Sequence, residues 1–209
     1  MKKLLCVICL LGFTASVHAY NEGDMVLLDT NYGDIVIDLD YDAAPITVEN
    51  FEAYVNDEFY NNLTFHRVID GFMIQGGGFY ADLSKRELTR DPIINEFGRS
   101  NLRGTVAMAK LGGDPDSATS QFFINLGDNS GPPPALDTQN GGFTVFGEVV
   151  SGMDVVDAIA GVDTHYVNEN FTHVPDEAVE IESAVIIPEP ATIVLLGLGC
   201  LAFVRKHRR

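Results

Sequence analysis

Phe65-His66-Arg67-Val68-Ile69-Asp70-Gly71-Phe72-Met73-Ile74-Gln75-Gly76-Gly77-Gly78-Phe79 sets one permanent cation among apolar side chains, just ahead of a turn glycine. Gln75 follows at strand spacing, and three glycines then let the backbone come close to something. Arg67 is the only Lys or Arg between Lys3 and Lys85. A guanidinium among Phe and Met is costly to desolvate and calls for a partner. Two readings stand on these residues alone: a structural ion pair, or a cation held ready for a functional contact.

Around this stretch the chain is acidic. Residues 20–188 carry 7 of the 13 basic and 29 of the 30 acidic residues, a net charge of about −22. Nucleic acid is a poor partner for such a surface, because phosphate binding needs basic side chains. The length outside the two ends suffices for one domain with a full core. The three cysteines, Cys6, Cys9 and Cys200, lie in the apolar ends, so the domain has neither a disulfide framework nor a cysteine metal site.

The ends read as targeting segments. Met1-Lys2-Lys3, the apolar run from Leu4 to Phe13 and Val17-His18-Ala19 form a secretory signal peptide over 1–19. At the other end, Pro188-Glu189-Pro190 precedes apolar residues to Val204 and the basic run Arg205-Lys206-His207-Arg208-Arg209. A helix over 191–204 spans roughly 21 Å, short of the roughly 30 Å hydrocarbon core. The order of these three parts resembles the PEP-CTERM sorting signal of Gram-negative bacteria, which implies an exosortase-type processing enzyme acting on residues 188–209. It also implies an exported protein of the periplasm, outer surface or extracellular matrix, at least transiently membrane-anchored.

Between the ends, 22–187 reads as one domain. Met25–Thr30 and Ile35–Asp40 flank the turn at Asn31-Tyr32-Gly33-Asp34, predicting a hairpin with Ile35, Ile37 and Leu39 on one face. Pro45 opens a helix whose apolar face is Val48, Phe51, Tyr54 and Val55. A polar loop is expected over 81–103. Strands are expected at 104–109, 121–126, 143–150 and 179–185, and a second short helix at Met153, Val156, Ile159 and Ala160. On the strand 121–126, Gln121, Phe123 and Asn125 share a face, which suits a groove wall. Mostly strands, two helices and no regular βα alternation argue a mainly β fold, a closed or nearly closed antiparallel barrel.

The opening stretch, together with Ser120-Gln121-Phe122-Phe123-Ile124, Leu136-Asp137, Val145-Phe146-Gly147 and Ala44–Phe51, resembles the cyclophilins, with the motifs in the same order over about 26–187. The resemblance implies a closed eight-stranded antiparallel barrel capped by two α-helices. It implies peptidyl-prolyl cis-trans isomerase activity with no cofactor and no metal. The family's catalytic arginine falls on Arg67. Its proline pocket falls on Phe72, Met73, Phe123, Leu136 and Phe143, and its polar peptide contacts on Gln75 and Gln121. Ala109 and Lys110 fall where the substrate backbone is met, and His66 falls at the rim. Ala135, also implied as a substrate contact, stands where many members carry a tryptophan, and this chain has no Trp. The expected partners are proline-containing polypeptides, and the domain is expected to be a monomer. A non-catalytic proline-peptide-binding or scaffold module is the alternative. A metal at Asp163, His165, Glu169 and His173, calcium at Asp114, Asp116 and Asp128, and His66 as a general base are set aside: the spacings lack a full motif, and bond rotation needs no proton transfer.

Overall fold

A computed structural model describes residues 25–87 and 90–187. The signal peptide and the sorting tail lie outside these residues. β1 (Met25–Thr30) and β2 (Gly33–Leu39) form the expected hairpin. Alternation puts Val26 and Leu28 of β1, and Ile35, Ile37 and Leu39 of β2, into the core. α1 (Pro45–Asn56) follows, burying Val48, Phe51, Tyr54 and Val55. β3 (Leu63–Thr64), β4 (Arg67–Ile69) and β5 (Met73–Gly76) come from the opening stretch. β6 (Thr105–Met108), β7 (Phe122–Asn125) and β8 (Val145–Ser151) complete the middle of the sheet. α2 (Met153–Ala160), a small hairpin of β9 (Thr164–His165) and β10 (Val174–Pro175), and β11 (Glu180–Ile187) end the domain.

The strands make one antiparallel sheet in the order β3-β11-β1-β2-β8-β6-β7-β5-β4. The expected closed barrel of eight strands is therefore an open, curled half-barrel of nine. The reason lies at Phe65 and His66. The run 63–69 does not pair as one strand: β3 pairs with β11, whereas the Val68 N–H donates to the His173 carbonyl. The break yields β3 and β4 at opposite edges of the ladder. Only two residues separate them, and three peptide steps reach about 11 Å at most. The sheet must curl until its edges approach, and the chain itself bridges the gap.

α1 packs on β8 and β11, and α2 against β2, β4 and β5. Inside the curl, Phe51, Tyr60, Phe65, Phe122 and Phe146 are fully buried, with rings meeting at tilted or edge-on angles. The N-cap of α1 is Ala44, which has no side chain able to accept a hydrogen bond. Glu96 supplies the cap from a distance. Its carboxylate accepts from the Ile46 N–H at 3.2 Å, the Thr47 N–H at 2.7 Å and the Thr47 hydroxyl at 2.7 Å. α1 in turn fixes the approach to β7, because Asn50 donates to the Thr119 carbonyl at 2.8 Å.

Candidate active site

Registry lines up the site. Across the sheet, Arg67 faces Gln75, Gln75 faces Phe123, Phe123 faces Ala107, and Ala107 faces Val145. Opposed residues of antiparallel strands share a face. Their sequence neighbours Val68, Ile74, Phe122, Ile124 and Phe146 point the other way, into the main core. The row thus lies on the outer face, where a second apolar cluster forms. Met73, Ala107, Phe123, Leu136 and Val145 are buried in it, and Ile69, Phe72, Ala109 and Phe143 pack around it half-buried. Phe143 meets Phe123 edge-on, with centroids 5.8 Å apart.

Arg67 stands at one end of this row. Its guanidinium donates to Gln75 Oε1 at a long 3.3 Å, and Gln75 Nε2 donates to Gln121 Oε1 at 3.0 Å. Among the described residues no carboxylate pairs with it, whereas Arg90 and Arg103 each pair with one and Arg99 with two. The structural ion-pair reading is overturned. Burial lowers the Arg67 pKa from its ordinary value, but a guanidinium starts high enough to stay charged at neutral pH.

The glycine run serves packing. A Cβ on Gly77 would lie 2.7 Å from the Ser120 carbonyl, and one on Gly78 2.7 Å from Gln121 Cγ. These residues make room for the start of β7 and for the Gln121 side chain, so the close approach inferred from the sequence is to the protein's own chain.

Beneath the apolar cluster lies a polar network that sequence reasoning missed. Asn101, Asn125 and Asn129 are buried. Asn125 Nδ2 donates to Thr105 Oγ1 at 2.9 Å, and Asn129 Nδ2 donates to Asn125 Oδ1 at 2.7 Å. Asn129 also donates to the Phe72 carbonyl, and Asn101 to the Phe143 carbonyl and to Asp137. Burial pushes the Asp137 carboxyl up, but hydrogen bonds from Asn101 and Ser100 outweigh it and hold it below its ordinary value. The walls Phe72 and Phe143 are thus anchored by their backbones. Asn125, expected to line a groove, belongs to the support instead.

Two other expected contacts differ. Ala135 is half-buried in a left-handed conformation, φ 61°, outside the apolar cluster. His66, expected at the rim, is enclosed at 4% exposure, edge-on to Phe79 and Phe171. The β9–β10 hairpin carries Phe171 over it, a cover invisible in the irregular 161–178 sequence. Burial is the main cause that takes the His66 pKa down to about 4, against a hydrogen bond with the Thr64 backbone and with help from neighbouring Arg67. The unfolded chain, with an ordinary value of 6.5, therefore binds this proton between pH 6.5 and 4 while the folded chain does not. Stability falls as pH drops through that window, by up to about 3 kcal/mol from His66. Urea unfolding at pH 7 and 4.5 should show that fall shrink in His66→Phe; an unchanged difference would contradict it.

Lys110 also departs from expectation. Its ammonium donates to the Gly142 carbonyl at 2.5 Å and to Asn95 Oδ1 at 3.2 Å, and lies 4.9 Å from the Phe143 ring centre. A separate cavity of about 550 Å³ is lined by Asp57, Phe59, Tyr80, Lys85, Arg86 and Glu87. It shares no residue with the Arg67 row, and Arg86 there is committed to the Tyr80 hydroxyl and the Phe59 ring. The guanidinium and the aromatic cluster stand at the row, away from this cavity.

This fold and site define a β half-barrel protein with an apolar, aromatic-walled cluster on its outer face beside a cation that pairs with no carboxylate among the described residues. A family model described as cyclophilin type peptidyl-prolyl cis-trans isomerase matches residues 25–186, and one for the PEP-CTERM protein-sorting motif matches 187–209. The chain is 46% identical over 190 residues to peptidyl-prolyl cis-trans isomerase A of Dickeya dadantii, covering 88% of this chain and 96% of that one. It is 51% identical over 167 residues to peptidyl-prolyl cis-trans isomerase B of Escherichia coli, covering 78% and 99%. A solved cyclophilin type isomerase of Cryptosporidium parvum in the presence of the dipeptide Ala-Pro superposes with a TM-score of 0.63 at 26% identity, covering 79% of this chain and 99% of that one. The chain belongs to the cyclophilin-type peptidyl-prolyl cis-trans isomerases. Its sorting motif marks it as an exported protein.

Proposed function

We propose that this protein accelerates rotation about X–Pro bonds of exported polypeptides, with Arg67 stabilising the twisted amide beside the apolar cluster. The observation that carries this is the charged, carboxylate-free Arg67 in register with Gln75 and Phe123. Rotation crosses a barrier of about 18–20 kcal/mol because amide resonance is lost. No covalent bond breaks, so no nucleophile or proton shuttle is needed. The prolyl nitrogen gains a usable lone pair only when the amide twists. A guanidinium donating there acts in the transition state alone, which raises kcat. Phe72, Met73, Phe123, Leu136 and Phe143 hold the proline ring while the preceding carbonyl turns. Gln75 and Gln121 steady the guanidinium and offer polar contacts to the peptide, and Ala109 borders its backbone. That the Cryptosporidium protein was solved in the presence of the dipeptide Ala-Pro supports a proline ligand.

In this reading residues 1–19 are a signal peptide, 22–187 the isomerase domain, working as a monomer, and 188–209 a segment handled by an exosortase-type enzyme. The protein then acts in the periplasm, on the outer surface or in the extracellular matrix. Turnover of a prolyl tetrapeptide by the purified chain tests the activity. Acceleration well above the uncatalysed rate, which takes tens to hundreds of seconds, is expected. Peptide binding without acceleration would instead make the domain a non-catalytic binding module.

A further inference from the structure

Phe143 reaches the apolar cluster from an unusual loop. Asn140, Gly141 and Gly142 ahead of it all have positive φ, at 53°, 77° and 77°. The loop is tied to the fold through its backbone and Asn140, which fix the chain but not the direction of its last ring. The Phe143 backbone is pinned, its N–H to the Leu136 carbonyl at 2.9 Å and its carbonyl by Asn101 at 3.0 Å. The ring is held by other means. Lys110 donates to the Gly142 carbonyl and sets its charge over the Phe143 face, a favourable cation–π placement. Asn95 then ties the ammonium to the rest of the loop. It accepts from Lys110 and from the Thr144 hydroxyl, and donates to the Gly141 carbonyl at 2.8 Å.

We infer that Lys110 is a positioning residue that, braced by Asn95, fixes the Phe143 ring as one wall of the proline pocket and so sets affinity for the ring. Its ammonium is spent on the Gly142 carbonyl, Asn95 and the Phe143 face, and acts on substrate through Phe143. This rests on the reading of the apolar cluster as the proline site. A wall that closes on the ring in both ground and twisted states changes KM and leaves kcat nearly alone.

The test is steady-state isomerisation of a prolyl tetrapeptide, with peptide Kd measured alongside. Lys110→Met is expected to raise KM and Kd about 3- to 10-fold with kcat within about twofold. Lys110→Arg, which keeps the charge and donors, is expected to stay within about twofold of wild type in both. In a Phe143→Ala background Lys110→Met should add less than about 1.5-fold, because the wall it positions is gone. Should Lys110→Met fail to fold, Asn95→Ala gives the same readout at smaller size. A folded Lys110→Met with unchanged KM, a fall in kcat alone, or an equal effect in the Phe143→Ala background would each overturn the brace while leaving the isomerase reading intact. A wild-type chain that neither turns over nor binds the peptide would remove the proline pocket, and the brace with it.

Discussion

Arg67→Ala is expected to lower kcat/KM on a prolyl tetrapeptide by about two to three decades. A preorganised donor aimed at the prolyl nitrogen only in the twisted state is worth about 2.7–4 kcal/mol, and each 1.36 kcal/mol is tenfold in rate. The fall should appear in kcat, with peptide Kd changed less than about threefold, because the planar ground-state amide offers the guanidinium little. Arg67→Lys should recover only part of the rate. A single ammonium cannot reproduce the planar fork of donors. Stability separates this from general damage. Arg67 is partly desolvated with no carboxylate among the described residues and one long hydrogen bond to Gln75. Removing such a cation should leave unfolding free energy within about 0.5 kcal/mol of wild type, or raise it. A residue held for packing would show the reverse, lost stability with retained turnover per folded molecule. Equal rates for Arg67→Ala and wild type, measured as magnetisation exchange between cis and trans peptide signals, would end the proposed mechanism.

How much of this was legible in the sequence depends on how local the determining physics is. The β1–β2 hairpin and α1 follow from period and punctuation: Ile35, Ile37 and Leu39 alternate, and Pro45 precedes a 3.6-residue apolar stripe. The residues of the outer apolar cluster were reached through motif resemblance, and the register explains why residues so far apart in sequence meet. Features set by distant partners were not legible. The N-cap residue of α1 is alanine, so no capping signal marks the helix start, and the acceptor is Glu96, about fifty residues on. The Asn101–Asn125–Asn129 network was hidden because its members satisfy one another only once folded, and Asn125 read instead as groove wall. The strand count slipped at Phe65-His66, where nothing in the residue types announces a break. His66 looked like a rim residue until Phe171, over a hundred positions later, was seen to cover it. Lys110 sat at the expected place, but its direction is decided by Asn95 and Gly142. Local pattern thus reached the elements and the types of side chain in the site, while the orientation of those side chains depended on contacts made across the sheet.

Phe122→Ala is expected to remove about 3–5 kcal/mol of stability, for reasons unconnected with the chemistry of its neighbours Gln121 and Phe123. Phe122 is fully buried and meets the rings of Phe51, Tyr60 and Phe65 edge-on, with centroids 5.4, 5.4 and 6.1 Å away. It joins α1, the segment after it and β3's continuation into one core, so its loss leaves a cavity that none of these can collapse to fill. Edge-on aromatic pairs add to the area buried. For a domain of this size the loss corresponds to a fall in Tm of about 6–20 °C. Urea unfolding followed by tyrosine fluorescence measures it. At low temperature, where the variant is still folded, kcat/KM per folded molecule should stay within about threefold of wild type, since the register of β5 against β7 is held by backbone pairing and Phe123 faces the other way. A loss below about 1.5 kcal/mol would mean the core repacks freely around this position, and the division of the sheet into a structural inner face and a catalytic outer face would lose its energetic basis.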